Sequence, residues 1–165
     1  MGCGKTTLAL KLAESLGFEA VDLDRFIEER NFKTVPALFE TYGEDHFRKL
    51  ERHALEEVAQ FSNVVVSTGG GAPCFFDNME LMNRTGISIY LETSVELLSE
   101  RLQKSKTDRP LIRGKGAEEI ELTIREMLGQ RSKYYLMARV VVANKENLLP
   151  DVLKALGAYG LGEKT

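Results

Sequence analysis

Gly2-Cys3-Gly4-Lys5-Thr6-Thr7 stands at the start of the 165-residue chain, and its reading sets the fold. It matches the second half of a phosphate-binding loop, where a glycine, four variable residues and then Gly-Lys-Ser/Thr join a strand to a helix. Glycines let successive backbone N–H groups turn toward an oxyanion, and the helix that follows adds the positive end of its dipole. In that geometry Lys5 reaches the β- and γ-phosphates and Thr6 offers a hydroxyl to Mg²⁺. A flexible glycine-rich terminus ahead of a helix is the plainer alternative for this stretch taken alone. Counting back from Gly4, the first glycine of the motif and the strand that feeds it fall before Met1. The chain is expected to be a fragment, to have a start placed too late, or to lack these parts.

Outward from the loop, Leu8, Leu12 and Leu16, with Ala9 and Ala13 beside them, form a helical stripe that Gly17 stops. Phe18–Leu23 reads as a buried strand carrying Asp22 and Asp24 at its carboxyl end, on the same side. Helices are expected over residues 25–31, 35–42 and 44–61. Val64-Val65-Val66 makes a buried strand over 63–68, running straight into Gly69-Gly70-Gly71. A helix over 75–84, a strand over 87–92 and a helix over 95–103 follow. Residues 117–138 read as helix, 140–143 as a last strand and 149–156 as a last helix, with 160–165 frayed. Alternating strands and helices imply an α/β fold with a parallel sheet covered on both faces, in one domain spanning 1–165. The polar stretch 105–116, with Arg109, Arg113 and two glycines, is long for a connection. A moving lid is the physical reading and a plain surface loop the alternative.

Composition bounds the function. Hydrophobic residues are 43% and charged residues 28%, ordinary for a soluble domain, and the formal charge is −3 with no basic run. This argues against a dedicated nucleic-acid or membrane surface. No apolar run reaches the length of a membrane span. Cys3 and Cys74 are far apart and lack metal-ligand spacing, so a disulfide framework is not expected and a reducing cytoplasm is the expected setting. His46 and His53 share a helix face without a metal-binding pattern.

Three features narrow the chemistry. Asp22 and Asp24 at a strand end can divide two tasks, one toward the shell of Mg²⁺ and one toward a substrate hydroxyl; for Asp24 a helix cap is the alternative. Gly69-Gly70-Gly71 suits close backbone approach to a ligand, or a simple turn, and Ser67-Thr68 before it can place a hydroxyl near the metal's waters. Arg48, Arg109 and Arg131 together suit carboxylate and phosphate, although each alone reads as a surface residue.

In this order, Gly-Cys-Gly-Lys-Thr-Thr at 2–7, Asp-Leu-Asp-Arg-Phe-Ile-Glu at 22–28, Gly-Glu-Asp-His-Phe-Arg-Lys-Leu-Glu at 43–51, Ser-Thr-Gly-Gly-Gly-Ala at 67–72, Thr-Asp-Arg-Pro-Leu at 107–111 and Gln-Arg-Ser-Lys-Tyr-Tyr at 130–135 resemble the shikimate kinase family, over nearly the whole chain. The resemblance implies a P-loop, nucleoside-monophosphate-kinase-like domain that moves the γ-phosphate of ATP to the 3-hydroxyl of shikimate, with Mg²⁺, as a cytoplasmic monomer in aromatic amino-acid biosynthesis. Residues 2–7 would hold ATP, with Lys5 catalytic and Thr6 and Asp22 near the metal. Asp24 would hold the shikimate hydroxyls and act as base, Arg48 and Arg131 would clamp the carboxylate, and Gly69, Gly70 and Gly71 would contact substrate. Arg109 would lie over the nucleotide phosphates. A substrate-binding region at about 24–52, a lid at about 105–116 and an adenine-contacting stretch near 144–149 are implied as well.

The same resemblance implies a three-layer α/β/α arrangement around a five-stranded parallel sheet of order 2-3-1-4-5. Its first, central strand is missing from this chain, so a slot is expected between 64–68 and 87–92. Upstream residues are expected in the working protein, since buried unpaired strand edges cost about 1–3 kcal/mol per group. Two other readings stay open: another small-molecule kinase of the superfamily, gluconate- or nucleotide-directed, and a nucleotide-binding protein without catalysis. The combination of Asp24, Arg48 and Arg131 separates the first, because it suits a small acid bearing hydroxyls. The half-length loop is the feature favouring the second.

Overall fold

Helix α1 (Lys5–Leu16) begins where the loop motif ends. Its N-cap, Gly4, takes φ 85° and ψ 19°, a left-handed conformation that a Cβ disfavours. Ala9, Leu12 and Ala13 form its buried face, the stripe expected from the sequence. The computed structural model describes residues 2–104, 114, 116–145 and 147–161.

Strand β1 (Glu19–Asp22) stops two residues short of Asp24. Asp22 caps helix α2 (Leu23–Asn31): its Oδ1 accepts the backbone N–H of Asp24 at 3.1 Å and of Arg25 at 3.2 Å. This corrects the expectation that the two aspartates share one side of a strand. Capping turns the chain helical from residue 23 on, so Asp24 lies in the first helical turn, and the cap is Asp22 rather than Asp24. Helix α3 (Val35–Val58) merges the helices expected over 35–42 and 44–61, is broken at Gly43, where φ is 79° and ψ 174°, and stops three residues before the expected end. Strand β2 (Val64–Ser67) leads through the triple glycine into a 3-10 turn (Ala72–Cys74) and helix α4 (Asn78–Thr85). Strand β3 (Ile89–Glu92), helices α5 (Val95–Lys104) and α6 (Ala117–Tyr135), strand β4 (Val140–Ala143) and helix α7 (Leu148–Gly157) complete the order.

The strands form two parallel pairs. Glu19 to Asp22 lie opposite Val64 to Ser67, and Ile89 to Glu92 lie opposite Val140 to Ala143. Among the described residues no ladder joins β2 to β3. A cavity of about 670 Å³ lies between them, lined by Val64, Val65 and Val66 on one side and by Ile87, Ile89 and Leu91 on the other. The slot expected between these strands is therefore present.

Apolar packing spans the slot on one face. Leu12 of α1 and Leu148, Val152 and Leu156 of α7 pack with Leu91 of β3, and Val65, Ile89 and Val142 border the cluster. On the other face Leu23, Ile27, Leu38, Phe47, Leu55 and Val58, from α2 and α3, pack beside Val21 and Val66. Helices thus cover both faces of a parallel sheet, the α/β/α layering expected. A third cluster joins Leu98 and Leu102 of α5 to Ile120 and Ile124 of α6, against Cys3. The carboxyl ends of β1, β2, β3 and β4 converge on the glycine loop. Thr6 bonds to Asp22 after β1, Ser67 of β2 bonds to the same aspartate, and Asn144 after β4 reaches both Thr93 and the Cys3 carbonyl. That end of a parallel sheet is where such folds bind ligands.

Candidate active site

The loop is held from outside and open inside. Asn144 Nδ2 donates to the Cys3 carbonyl at 2.7 Å, and Arg101 Nη1 donates to it at 3.4 Å. Holding that carbonyl orients the adjoining peptide plane, whose N–H belongs to Gly4. The start of α1 carries no side-chain cap. Its first-turn N–H groups are left for an anion, the arrangement a phosphate needs. Lys5 Nζ rests 3.6 Å from the Cys3 sulfur, a weak contact that a phosphate oxygen displaces readily.

Asp22 couples the loop to both neighbouring strand ends. Its Oδ2 accepts from Thr6 Oγ1 at 3.0 Å and from Ser67 Oγ at 3.1 Å, while Oδ1 makes the cap. A threonine hydroxyl that gives its proton to Asp22 keeps its lone pairs for a cation. This set fits a hard divalent ion that takes one or two protein oxygens and completes its shell with water and phosphate. No denser cluster of metal-binding side chains occurs among the described residues.

Asp24 stands on the wall between loop and glycine turn. A second cavity, of about 610 Å³, runs from Gly2, Cys3, Gly4, Lys5, Thr6 and Thr7 past Asp22 and Asp24 to Gly69 and Gly70. Burial raises the Asp24 carboxyl above its ordinary range and the nearby Asp22 charge adds to this, while Lys5 and Arg48 pull the other way. A carboxylate raised in this manner is a better proton acceptor than an ordinary aspartate.

Beyond Asp24 lies a guanidinium built into the fold. Arg48 is 8% exposed. Its Nη1 donates to Glu51 at 2.8 Å, and its Nε and Nη2 both donate to Glu44 Oε1. The guanidinium carbon lies 4.1 Å from the Phe75 ring centre, with the Phe47 and Phe39 rings at 5.4 and 5.6 Å. A Cβ at position 71 would sit 2.7 Å from Arg48 Nη1, so any larger residue there has to displace the guanidinium. At 69 it would meet Asp24 Oδ1 at 3.0 Å. The glycines therefore give space to Asp24 and Arg48.

The structure brings nearly all the expected site residues to one end of the sheet. Arg131, on α6, acts electrostatically on Glu51, Cys74 and Tyr135, which places its charge on the Arg48 side. Arg109 lies outside the described residues, as does the expected lid apart from Gly114 and Gly116. Asn144, at the start of the stretch expected to touch adenine, braces the loop.

Residue-by-residue reading missed Glu51, Tyr135 and the three phenylalanines. Glu51 is 1% exposed; burial raises its carboxyl, and the hydrogen bond from Arg48 opposes the rise. Its i, i+3 spacing from Arg48 was visible, but such pairs are ordinary on helix surfaces and only burial sets this one apart. Tyr135 donates to the Gly70 carbonyl at 2.6 Å, across 65 residues of chain.

Comparison with known proteins agrees with this geometry. The family model described as shikimate kinase matches residues 1–156. The chain belongs to the shikimate kinase family. It is 48% identical over 140 residues to the shikimate kinase of Parabacteroides distasonis, covering 85% of this chain and 81% of that protein. The Bacteroides thetaiotaomicron shikimate kinase is 49% identical over 141 residues, 86% of this chain and 81% of that protein. A crystal structure of a shikimate kinase from Bacteroides thetaiotaomicron superimposes with a TM-score of 0.90 at 43% identity, over 98% of this chain and 94% of that one. The Acinetobacter baumannii shikimate kinase in complex with shikimate gives 0.82 at 36% identity, over 98% and 87%. Membership makes the chain an ATP-dependent kinase with the P-loop α/β fold, as expected from its motifs.

Proposed function

We propose that the chain, as a member of the shikimate kinase family, transfers the γ-phosphate of ATP to the 3-hydroxyl of shikimate through the residues assembled around the cavity from Gly2 to Gly70. The observation that carries the assignment is that continuous cavity, with the loop at one end, Asp24 on its wall and Arg48 just beyond. The N–H groups of the loop and first turn of α1 hold the phosphates, and Lys5 neutralises charge on the β- and γ-groups. Thr6, and Asp22 through water, would hold Mg²⁺, which when bound supplies charge neutralisation of the nucleotide phosphates.

Arg48 and Arg131 bind the shikimate carboxylate on the side away from the loop. Arg48 needs little reorganisation, since Glu44, Glu51 and three rings already orient it. Gly69, Gly70 and Gly71 let the ring of the substrate approach the turn. Asp24 orients the 3-hydroxyl and accepts its proton as the oxygen attacks the γ-phosphorus and the bond to the β-phosphate oxygen breaks, leaving ADP. Arg109 and the segment around it would cover the phosphates and exclude water as a competing acceptor. A monomer in the cytoplasm belongs to the same reading, and two unpaired thiols suit a reducing compartment. No helix among the described residues is long and apolar enough to cross a membrane.

The test is ADP release by the purified chain with shikimate and with a panel of other small hydroxy acids. Shikimate is expected to stimulate turnover above all others. Equal stimulation by several acids would overturn the substrate assignment, and no stimulation by any would remove catalysis from it.

A further inference from the structure

Arg52 sits one helical turn after Arg48 and faces away from the cavity toward α4. Its Nη1 donates to Asn78 Oδ1 at 3.0 Å and pairs with Asp77 at 2.7 Å, and its Nε pairs with Glu56 at 2.9 Å. Asn78 is wholly buried, and its Nδ2 donates to the Ala72 carbonyl at 2.7 Å. The orientation of this amide is dictated by its partners. Reversed, it would set its N–H groups against a guanidinium and its oxygen against a carbonyl, both repulsive. A polar side chain in such a place is costly unless both ends are satisfied, and here they are.

The far end of this strut is the glycine turn. Ala72 N donates to Gly69 O and Cys74 N to Gly71 O, so the Ala72 carbonyl is part of a tightly wound segment. That segment has no slack toward the cavity, because Gly71 lies against the Arg48 guanidinium and Gly69 against Asp24 and Glu51. Helix α3 therefore touches the turn twice. Arg48 meets it from the cavity side, and Arg52 holds it through Asn78 from behind.

We infer that Asn78 is a positioning residue for recognition of the acid substrate: with Arg52 it sets the distance between the glycine turn and Arg48, and so the geometry in which the carboxylate is received. The inference rests on the carboxylate-binding role proposed above for Arg48. It assigns Asn78 no contact with either substrate.

The experiment is steady-state kinetics of the full chain, with KM for shikimate and for ATP measured separately, alongside thermal melting. Asn78→Asp keeps an acceptor for Arg52 and puts an oxygen against the Ala72 carbonyl. KM for shikimate should rise about tenfold while KM for ATP stays within about twofold. A merely structural role would lower the melting temperature and the active fraction, hence kcat, and leave KM for shikimate alone. Should Asn78→Asp fail to melt cooperatively, Arg52→Met removes the support behind Asn78 from a partly exposed position, and a selective rise of about threefold is expected. A folded variant whose KM for shikimate stays within about twofold of the parent, or whose two KM values rise together, overturns the assignment.

Arg48→Ala measured alongside separates the two levels. If it leaves KM for shikimate unchanged, the carboxylate reading fails and this inference with it. If it raises KM and the Asn78 and Arg52 variants do not, only the positioning assignment fails. In the Arg48→Ala background Asn78→Asp should add little, since both act through the same guanidinium, and fully additive losses would overturn the inference.

Discussion

The two ends of the site are built on opposite plans. At the Arg48 end the protein completes its own interactions: two glutamates and three aromatic rings hold the guanidinium in place. At the loop end interactions are left unfinished: α1 begins after Gly4 with no side-chain cap, and among the described residues the Lys5 amine bonds weakly to the Cys3 sulfur. The contrast follows from the ligands proposed for each end. A nucleotide brings several phosphate charges and can organise backbone N–H groups itself. A small monoacid brings one carboxylate and gains more from a receptor already in place. Asp24 lies between the two and feels both, through Lys5 and Arg48.

The contrast breaks most severely at the loop. Lys5→Met should leave melting nearly unchanged, because among the described residues its amine has no partner stronger than the Cys3 sulfur, and lower kcat by about 10²–10³-fold. Near-parental turnover would take the loop out of the mechanism. Next comes Arg48→Ala, which should weaken shikimate binding by about 2–5 kcal/mol with little effect on ATP. Unlike the lysine variant it should also lower the melting temperature, since it strips a charged partner from the buried Glu51 carboxylate. Equal loss of both ligands would make Arg48 a structural residue.

A smaller change sharpens the picture. Gly71 has φ −83° and ψ −30°, which any residue adopts, so Gly71→Ala tests space and not backbone strain. The new methyl would meet a guanidinium that Glu44 and Glu51 keep from moving, and KM for shikimate should rise about tenfold with ATP unaffected. An unchanged KM would mean that Arg48 is not held as tightly as its contacts imply.

The smallest effect is on stability. Asp24 has its folded carboxyl raised by burial, so the folded state binds its proton more readily than the unfolded chain does. Its contribution is therefore most favourable below the unfolded value of about 3.9 and is lost as pH rises through the folded one. Asp24→Asn should raise the melting temperature by a few degrees at neutral pH, and the gain should shrink toward zero below about pH 4, while turnover collapses. A gain that grew on acidification would reverse the sign and contradict the burial account.

Much of this arrangement was legible in the chain. The loop, the stripe of Leu8, Leu12 and Leu16, the Val64–Val66 run and the triple glycine each declare their local structure within a few residues, because backbone sterics and side-chain period act at short range. The slot between β2 and β3 was also expected, through the resemblance to the family. What failed was the boundary at Asp22, where a side chain of the strand's own last residue began the next helix sooner than apolar patterning implied. Arg109 and most of the segment expected as a lid lie outside the described residues.

By itself, then, the sequence determined the class of fold, the phosphate loop and the residue types available for an acid substrate. Tertiary structure alone decided how they are employed. It made Asp22 a cap, a partner of Thr6 and a partner of Ser67, 45 residues away. It buried Glu51 under Arg48, and it backed the glycine turn with Tyr135 on one side and Asn78 on the other. The physical reason is range. Propensity and periodicity act over one or two turns of chain, whereas burial and the satisfaction of buried polar groups are set by whatever distant segments the topology packs alongside.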